Sequence, residues 1–194
     1  MREILLLGGG GHCKSVIDVI EQEAKYKIAG IIDVKERVGE RLLGYEIIGC
    51  NEDLKQLRQR FSYAMVTVGQ MQSNQARIKL FKLLEELEFE TPVIISPLAY
   101  VSKHAFIDVG SVVMHHALIN AHAKVGKNCI INSKALIEHD ARVEDFSHVS
   151  TGAILNGGAT LKENSFFSSA AVMRENGEAE GFVKMGSLVK QKAP

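Results

Sequence analysis

Two histidines lie close to acidic residues in "IEHDARVEDFSHVSTG", residues 137–152. An imidazole takes up a proton near neutral pH, and a neighbouring carboxylate can fix which ring nitrogen carries hydrogen. His139 followed by Asp140 therefore offers a general base with an orienting partner. His148 supplies a second imidazole nine residues on. Whether these groups do chemistry or are merely solvated depends on the shape of the segment that carries them.

That shape follows from a period of six. From Ile95 to Met173 every sixth residue is apolar: Val101, Ile107, Val113, Ile119, Val125 and onward without a break. Four positions after each, from Ala99 to Ala171, comes Ala, Ser or Cys. Neither an α-helix nor an ordinary strand has this period; it is the hexapeptide repeat of a parallel β-helix. Three hexads make one triangular coil. The apolar residue points into the prism, and the small one sits at a tight corner. Neighbouring coils stack at ~4.8 Å. Beyond Met173 the phase breaks: "RENGEAEG" reads as a loop, and "FVKMGSLVKQ" resumes a hexad in shifted register.

Residues eighteen apart stack in such a coil. His139 then lies between Ala121 and Gly157, with room beside the ring, and Asp140 lies between His122 and Gly158. His122 stacks in turn on His104. His148 falls half a coil away, out of reach of His139 in the same chain. An imidazole on a β-helix surface is more often solvated than catalytic, so spacing alone leaves both readings open.

The first half has a different grammar. "EILLLGGGGH" reads as a buried strand running into a glycine turn, and "KSVIDVIEQE" as a helix. "YKIAGIID" is a second strand ending at Asp33. "NEDLKQLRQRF" is a helix with Asn51 as N-cap. "YAMVTVG" and "SNQARIKLFKLLEELEF" add a strand and a longer helix. This βαβαβα order predicts an α/β, Rossmann-like domain over residues 1–92, followed by the β-helix over 93–194. The turn "GGGGHCKS" lacks a full dinucleotide fingerprint, because Cys13 stands where the third glycine would fall. It reads either as a tight strand-to-helix turn or as a helix N-terminus whose N–H groups face a nucleotide.

Composition bounds the function. Lys+Arg 23 balances Asp+Glu 23, so no global charge favours nucleic acid or an anionic membrane. Cys13, Cys50 and Cys129 are scattered without metal or disulfide spacing, as expected of reduced thiols in a cytoplasmic protein. The first apolar run is too short for a signal peptide or a membrane span.

The glycine turn "GGGGHCKSVIDVI", the segment "INSKALIEHDARVEDFSHVSTGA" and the hexads together resemble the nucleotide-amino-sugar acetyltransferases, over nearly the whole chain. The resemblance implies a left-handed β-helix, a homotrimer, and acetyl-CoA-dependent N-acetylation of a nucleotide-linked amino sugar by direct transfer. It implies His139 as general base and Asp140 as its orienting carboxylate. It implies His148, Gly157 and Gly186 as contacts to acetyl-CoA, His148 being reached from a neighbouring subunit. It implies Gly10, Gly11, His12, Asp33 and Gly69 as the nucleotide-sugar site, with no metal. The chemistry agrees: a neutral imidazole can take the proton of an amine attacking a thioester. Cys129, at a corner position, is expected to be buried and inert.

One departure is expected to matter. The family closes with a further coil and a short "G-x-P-A-(K/R)" segment, whereas this chain ends "GSLVKQKAP". The coenzyme is then held by fewer contacts, or activity is lost and a sugar-binding protein remains. O-acetylation of a sialic-acid-like sugar would use the same histidine. A zinc enzyme is a further alternative, invited by the His104, His122, Asp140 column, although its ligand spacing is not obvious.

Overall fold

The computed structural model describes residues 1–71 and 73–190. The chain forms two compact units. One comprises Met1–Gly69 and Gln75–Pro92; the other comprises Gln70–Asn74 and the chain from Val93 onward.

The first unit is a five-stranded sheet in the order β3-β4-β2-β1-β5. β1 (Arg2–Leu7) lies between β2 (Tyr26–Ile32) and β5 (Tyr63–Val66), parallel to both. Ile4, Leu5, Leu6 and Leu7 are wholly buried, which explains the unbroken apolar run: both faces of the strand are covered. α1 (Gly11–Glu23) buries Cys13, Val16, Ile17, Val19 and Ile20, and ends at Ala24 in the left-handed region. β3 (Arg41–Leu42) and β4 (Tyr45–Gly49) form an antiparallel hairpin that the βαβαβα reading omits. Its turn places Leu43 at φ 49° and Gly44 at φ 89°. Asn51 is not an N-cap. Cys50 holds that position, and its N–H donates to Asp53 Oδ2 at 2.9 Å. The expected helix over 51–61 shrinks to one 3₁₀ turn and α2 (Leu54–Leu57). The last helix, α3, runs Gln75–Glu86.

The second unit is a left-handed parallel β-helix. Its two-residue strands stack into three flat faces. The first face begins with Tyr100–Val101, Leu118–Ile119 and Leu136–Ile137, the second with Phe106–Ile107, Lys124–Val125 and Arg142–Val143. The third begins with Ile94–Ile95, Val112–Val113 and Ile130–Ile131. The apolar hexad residues and the small corner residues merge into one core, from Val113 and Ala117 through to Ala171 and Met173.

Two finer columns explain the corners. The second residue of nearly every turn has positive φ, including His122 (60°), Asp140 (61°) and Asn164 (61°), with Gly152 and Gly158 at equivalent places. Asn, Asp and Gly tolerate that region best. The fully buried hydroxyls Ser111, Ser147 and Ser165 share one edge. Ser111 Oγ accepts from Cys129 N at 2.8 Å, Ser147 Oγ from Ser165 N at 3.2 Å, and Ser165 Oγ from Gly181 N at 2.9 Å. Serine at this edge therefore satisfies backbone groups that would otherwise be buried without a partner.

The phase break has a simple basis. Glu178–Ala179, expected within a loop, is a regular strand beside Thr160–Leu161. The corner after it is two residues short. Phe182 therefore pairs with Phe166, and Leu188 with Val172, at a spacing of sixteen instead of eighteen. The coil continues through the shortened corner. The end of the C-terminal "GSLVKQKAP" segment, residues 191–194, lies outside the described residues.

Candidate active site

His139 sits at the corner between the first face (strand Leu136–Ile137) and the second (strand Arg142–Val143). Its side chain is 63% exposed. Nδ1 lies 2.8 Å from Asp140 Oδ2. The backbone N–H of His139 donates to Glu138 Oε2 at 3.2 Å, and Asn120 Nδ2 donates to the same oxygen at 2.7 Å. With Nδ1–H committed to the carboxylate, Nε2 presents its lone pair, and no described side chain occupies it. This is the tautomer a general base requires.

The space beside His139 is not simply free. The ring leans over Gly157: a Cβ there would stand 2.7 Å from His139 Cε1 and 2.8 Å from Nε2. Glycine at 157 is what lets the imidazole adopt this position. Below Asp140, His122 Nδ1 lies 3.8 Å from Oδ1, and His104 meets His122 edge-on at 6.4 Å between ring centres. The eighteen-residue stacking thus places this column as read. No group of three metal-ligating side chains occurs among the described residues.

The hydrogen bond that His139 Nδ1 donates to Asp140 holds the His139 pKa above its ordinary value, against an opposing desolvation. The neutral, basic form is populated only above that pKa. The acid limb of the rate profile should therefore lie above that of an isolated imidazole. Asp140→Asn should move this limb to lower pH and reduce the plateau rate by about 10- to 10²-fold, less than loss of the base itself. A pH profile of kcat/KM checks both, and an unmoved limb would separate Asp140 from the titrating group.

The other expected residues fall into two further places. His148 points outward from the third face and is only 6% exposed. Its Nδ1 lies 3.0 Å from the Gln70 carbonyl, its Nε2 3.3 Å from Asn132 Nδ2, and its ring meets Phe166 edge-on. Gln70 and Asn74 also donate to the coil, at Ser165 O and Phe146 O, which explains why residues 70–74 group with the second unit. The fold does not bring His148 to His139 within one chain. Gly186 (φ 66°) lies at the corner between the third and first faces, away from the corner of Gly157.

In the first unit, Gly10, Gly11, His12, Asp33 and Gly69 gather at the carboxyl ends of β1, β2 and β5, where α/β sheets open to ligands. Gly10 caps α1 without a side-chain hydrogen bond. A Cβ at Gly69 would stand 3.4 Å from His12 Cβ. Asp33 Oδ2 accepts from Gly9 N and from Arg37 Nη1, each at 2.7 Å, so this carboxylate holds the glycine turn closed. It also borders a cavity of about 920 Å³ lined by Gly8, Val34, Lys35, Asn51 and Glu52 among others. Cys13, in place of the third glycine, is buried, and burial pushes its thiol up to about 11.

Residues 3–84 match the family described as the PglD N-terminal domain. No curated protein matches the chain significantly. Among solved structures, a histidine-to-asparagine variant of perosamine N-acetyltransferase from Caulobacter crescentus, in complex with CoA and GDP-perosamine, is 27% identical. It superposes with a TM-score of 0.92, covering 100% of this chain and 91% of that one. The acetyltransferase domain of PglB from Neisseria gonorrhoeae FA1090 is 28% identical, with a TM-score of 0.89 over 100% and 94%. The same domain in complex with acetyl coenzyme A gives 0.87 over 97% and 92%, at 28% identity.

The domain match over residues 3–84 and these full-length similarities together support a nucleotide-amino-sugar acetyltransferase.

It is an acyltransferase. Sequence reasoning about this acetyltransferase missed three supports. Asn120 and Glu138 are eighteen apart, so their pairing was open to the same stacking rule that placed His122 under Asp140. Arg37, which ties Asp33 to the Gly9 carbonyl, carried no signal beyond its charge. The 70–74 segment carried none, because its partners lie more than seventy residues away.

Proposed function

We propose that the protein transfers the acetyl group of acetyl-CoA directly to the amine of a nucleotide-linked amino sugar. The observation that carries this reading is the His139–Asp140 pair: Nδ1 is bound to carboxylate and Nε2 is open. In the reaction, Nε2 takes the proton of the amine as it attacks the thioester carbonyl, and Asp140 stabilises the imidazolium so formed. Collapse of the tetrahedral intermediate breaks the C–S bond and expels CoA, whose sulfur takes that proton from the imidazolium. No acyl-enzyme is needed, and Cys13, Cys50 and Cys129 are all buried. The PglB domain forms a complex with acetyl coenzyme A, and the perosamine enzyme variant one with CoA and GDP-perosamine. Gly157, Gly186 and His148 are assigned to acetyl-CoA, and Gly10, Gly11, His12, Asp33 and Gly69 to the nucleotide sugar.

A homotrimer fits this reading. All six outward residues of the first face, Tyr100, Leu118, Leu136, Ile154, Val172 and Leu188, are large and apolar, and none is fully buried in one chain. Such a stripe suits coverage by a second copy. The reduced cysteines suit a cytoplasmic enzyme, and no described helix is long and apolar enough to cross a membrane.

The test is thiol release from acetyl-CoA with a panel of UDP-, GDP-, dTDP- and CMP-linked amino sugars. Turnover with none of them, at trimer concentration, sinks the proposal. The glycine turn gives a sharper check. A Cβ at Gly11 would meet nothing within 4 Å and its φ is not in the left-handed region, so packing does not demand glycine there. Gly11→Val should therefore fold normally while screening the helix N-terminus. Nucleotide-sugar affinity should fall about tenfold, or ~1.4 kcal/mol, with CoA affinity unchanged. Early melting with loss of both ligands would mark the turn as purely structural.

A further inference from the structure

On the second face, next to His139, two cations stand on adjacent rungs. Lys124 pairs in register with Arg142, and both side chains are exposed. Like charges directly opposite on a sheet destabilise it. Elsewhere on this face the charges are matched: Lys162 lies 3.8 Å from Glu144 and 3.4 Å from Glu178. Lys124 and Arg142 have no ion-pair partner among the described residues. They border a hollow of about 410 Å³ shared with His104, Phe106, His122 and Asp140. A second hollow of about 370 Å³ shares Phe106, Lys124 and Arg142 but is lined besides by Glu144, Asp145 and Glu163, so it does not suit an anion. The one carboxylate in the first hollow, Asp140, is already engaged by His139 at 2.8 Å.

We infer that Lys124 and Arg142 form a subsite for the diphosphate of the acceptor nucleotide sugar. This rests on the function proposed above and specifies where that acceptor is gripped. Two cations without an ion-pair partner, facing the first hollow with its single engaged carboxylate, suit a dianionic ligand, and a guanidinium engages phosphate oxygens through two parallel hydrogen bonds. The placement selects the acceptor over the acyl donor. Arg142 is three residues from His139, and Lys124 is one coil lower, ~4.8 Å along the axis. In a nucleotide-linked amino sugar, a single pyranose ring separates the reacting amine from the anomeric phosphate. In acetyl-CoA, the whole pantetheine arm separates the thioester from the nearest phosphate. Cations this close to the base match the shorter separation.

The experiment first identifies an acceptor from the nucleotide-sugar panel with the wild-type enzyme. It then measures the Kd of that sugar and of CoA, the melting temperature and the assembly mass for Lys124→Ala, Arg142→Ala and Arg142→Lys. Each alanine variant should lose about tenfold or more in acceptor affinity, as expected for a charge-assisted contact, with CoA affinity unchanged. Arg142→Lys should fall between. Melting temperatures should hold or rise, because a repulsion has been removed. Unchanged acceptor affinity in a wild-type-active protein overturns the subsite and leaves the proposed function standing. Loss of CoA affinity instead assigns the cations to the donor, and a fall in assembly mass assigns them to a subunit contact; either overturns the inference. A wild type that neither binds nor acetylates any sugar of the panel removes the proposed function, and this inference with it.

Discussion

His139→Ala should reduce kcat by about 10²–10⁴, the usual cost of deleting a positioned general base. The fold should survive, because the side chain is 63% exposed and contributes nothing to the coil core. Both substrates should still bind, since the residues assigned to them, including Gly157 beside the ring, are unaltered in this variant. A surface imidazole without a catalytic role would give a variant with near-normal turnover at neutral pH. That outcome would require another base, and His122 is the first alternative, because it reaches the same carboxylate at 3.8 Å. His122→Ala is therefore the paired measurement. Equal loss in both variants would replace the simple His139–Asp140 dyad with a three-member column. Loss in His139→Ala alone fits the 2.8 Å bond and the open Nε2.

The coil was legible because its rule is one-dimensional. Each hexad contacts only its stacked neighbours, so a residue number fixes a neighbour eighteen places away. His139 beside Asp140, Asp140 over His122, and His122 over His104 all follow from that arithmetic. It failed where local chemistry overrides the count. The two-residue shortening after Ala179 kept the strand and changed the spacing, so a phase break looked like a loop. The first unit was harder. The buried strand β1 announces itself as an apolar run, but the β3–β4 hairpin turns on Leu43 and Gly44 at positive φ, which "RLLGYEIIG" does not advertise. Cys50 replaced Asn51 as cap because the Asp53 carboxylate reaches the Cys50 N–H, a pairing that depends on where the helix starts. Contacts of long sequence separation, such as His148 with Gln70, left no periodic trace at all.

Gly157 was read as empty space beside the imidazole, and the geometry makes it a stricter requirement. Gly157→Ala would put a methyl group 2.7 Å from His139 Cε1 and 2.8 Å from Nε2. Real carbon atoms do not approach that closely, so something must move. The Gly157 φ is not in the left-handed region, so alanine strains no backbone there. The least costly response is for the exposed imidazole to swing away. That motion breaks the Nδ1–Asp140 bond and withdraws Nε2 from its place. Misplacing a reacting group by about 1 Å can cost about 10²-fold in rate, so kcat should fall by that order while the melting temperature stays put. A double variant Gly157→Ala, His139→Ala no slower than His139→Ala alone would mean that the methyl group acts only through the ring, against the assignment of Gly157 to acetyl-CoA. A further loss in the double variant would show that residue 157 contacts a substrate directly. Full activity in Gly157→Ala would mean that the imidazole works from a different position than the one seen over this glycine.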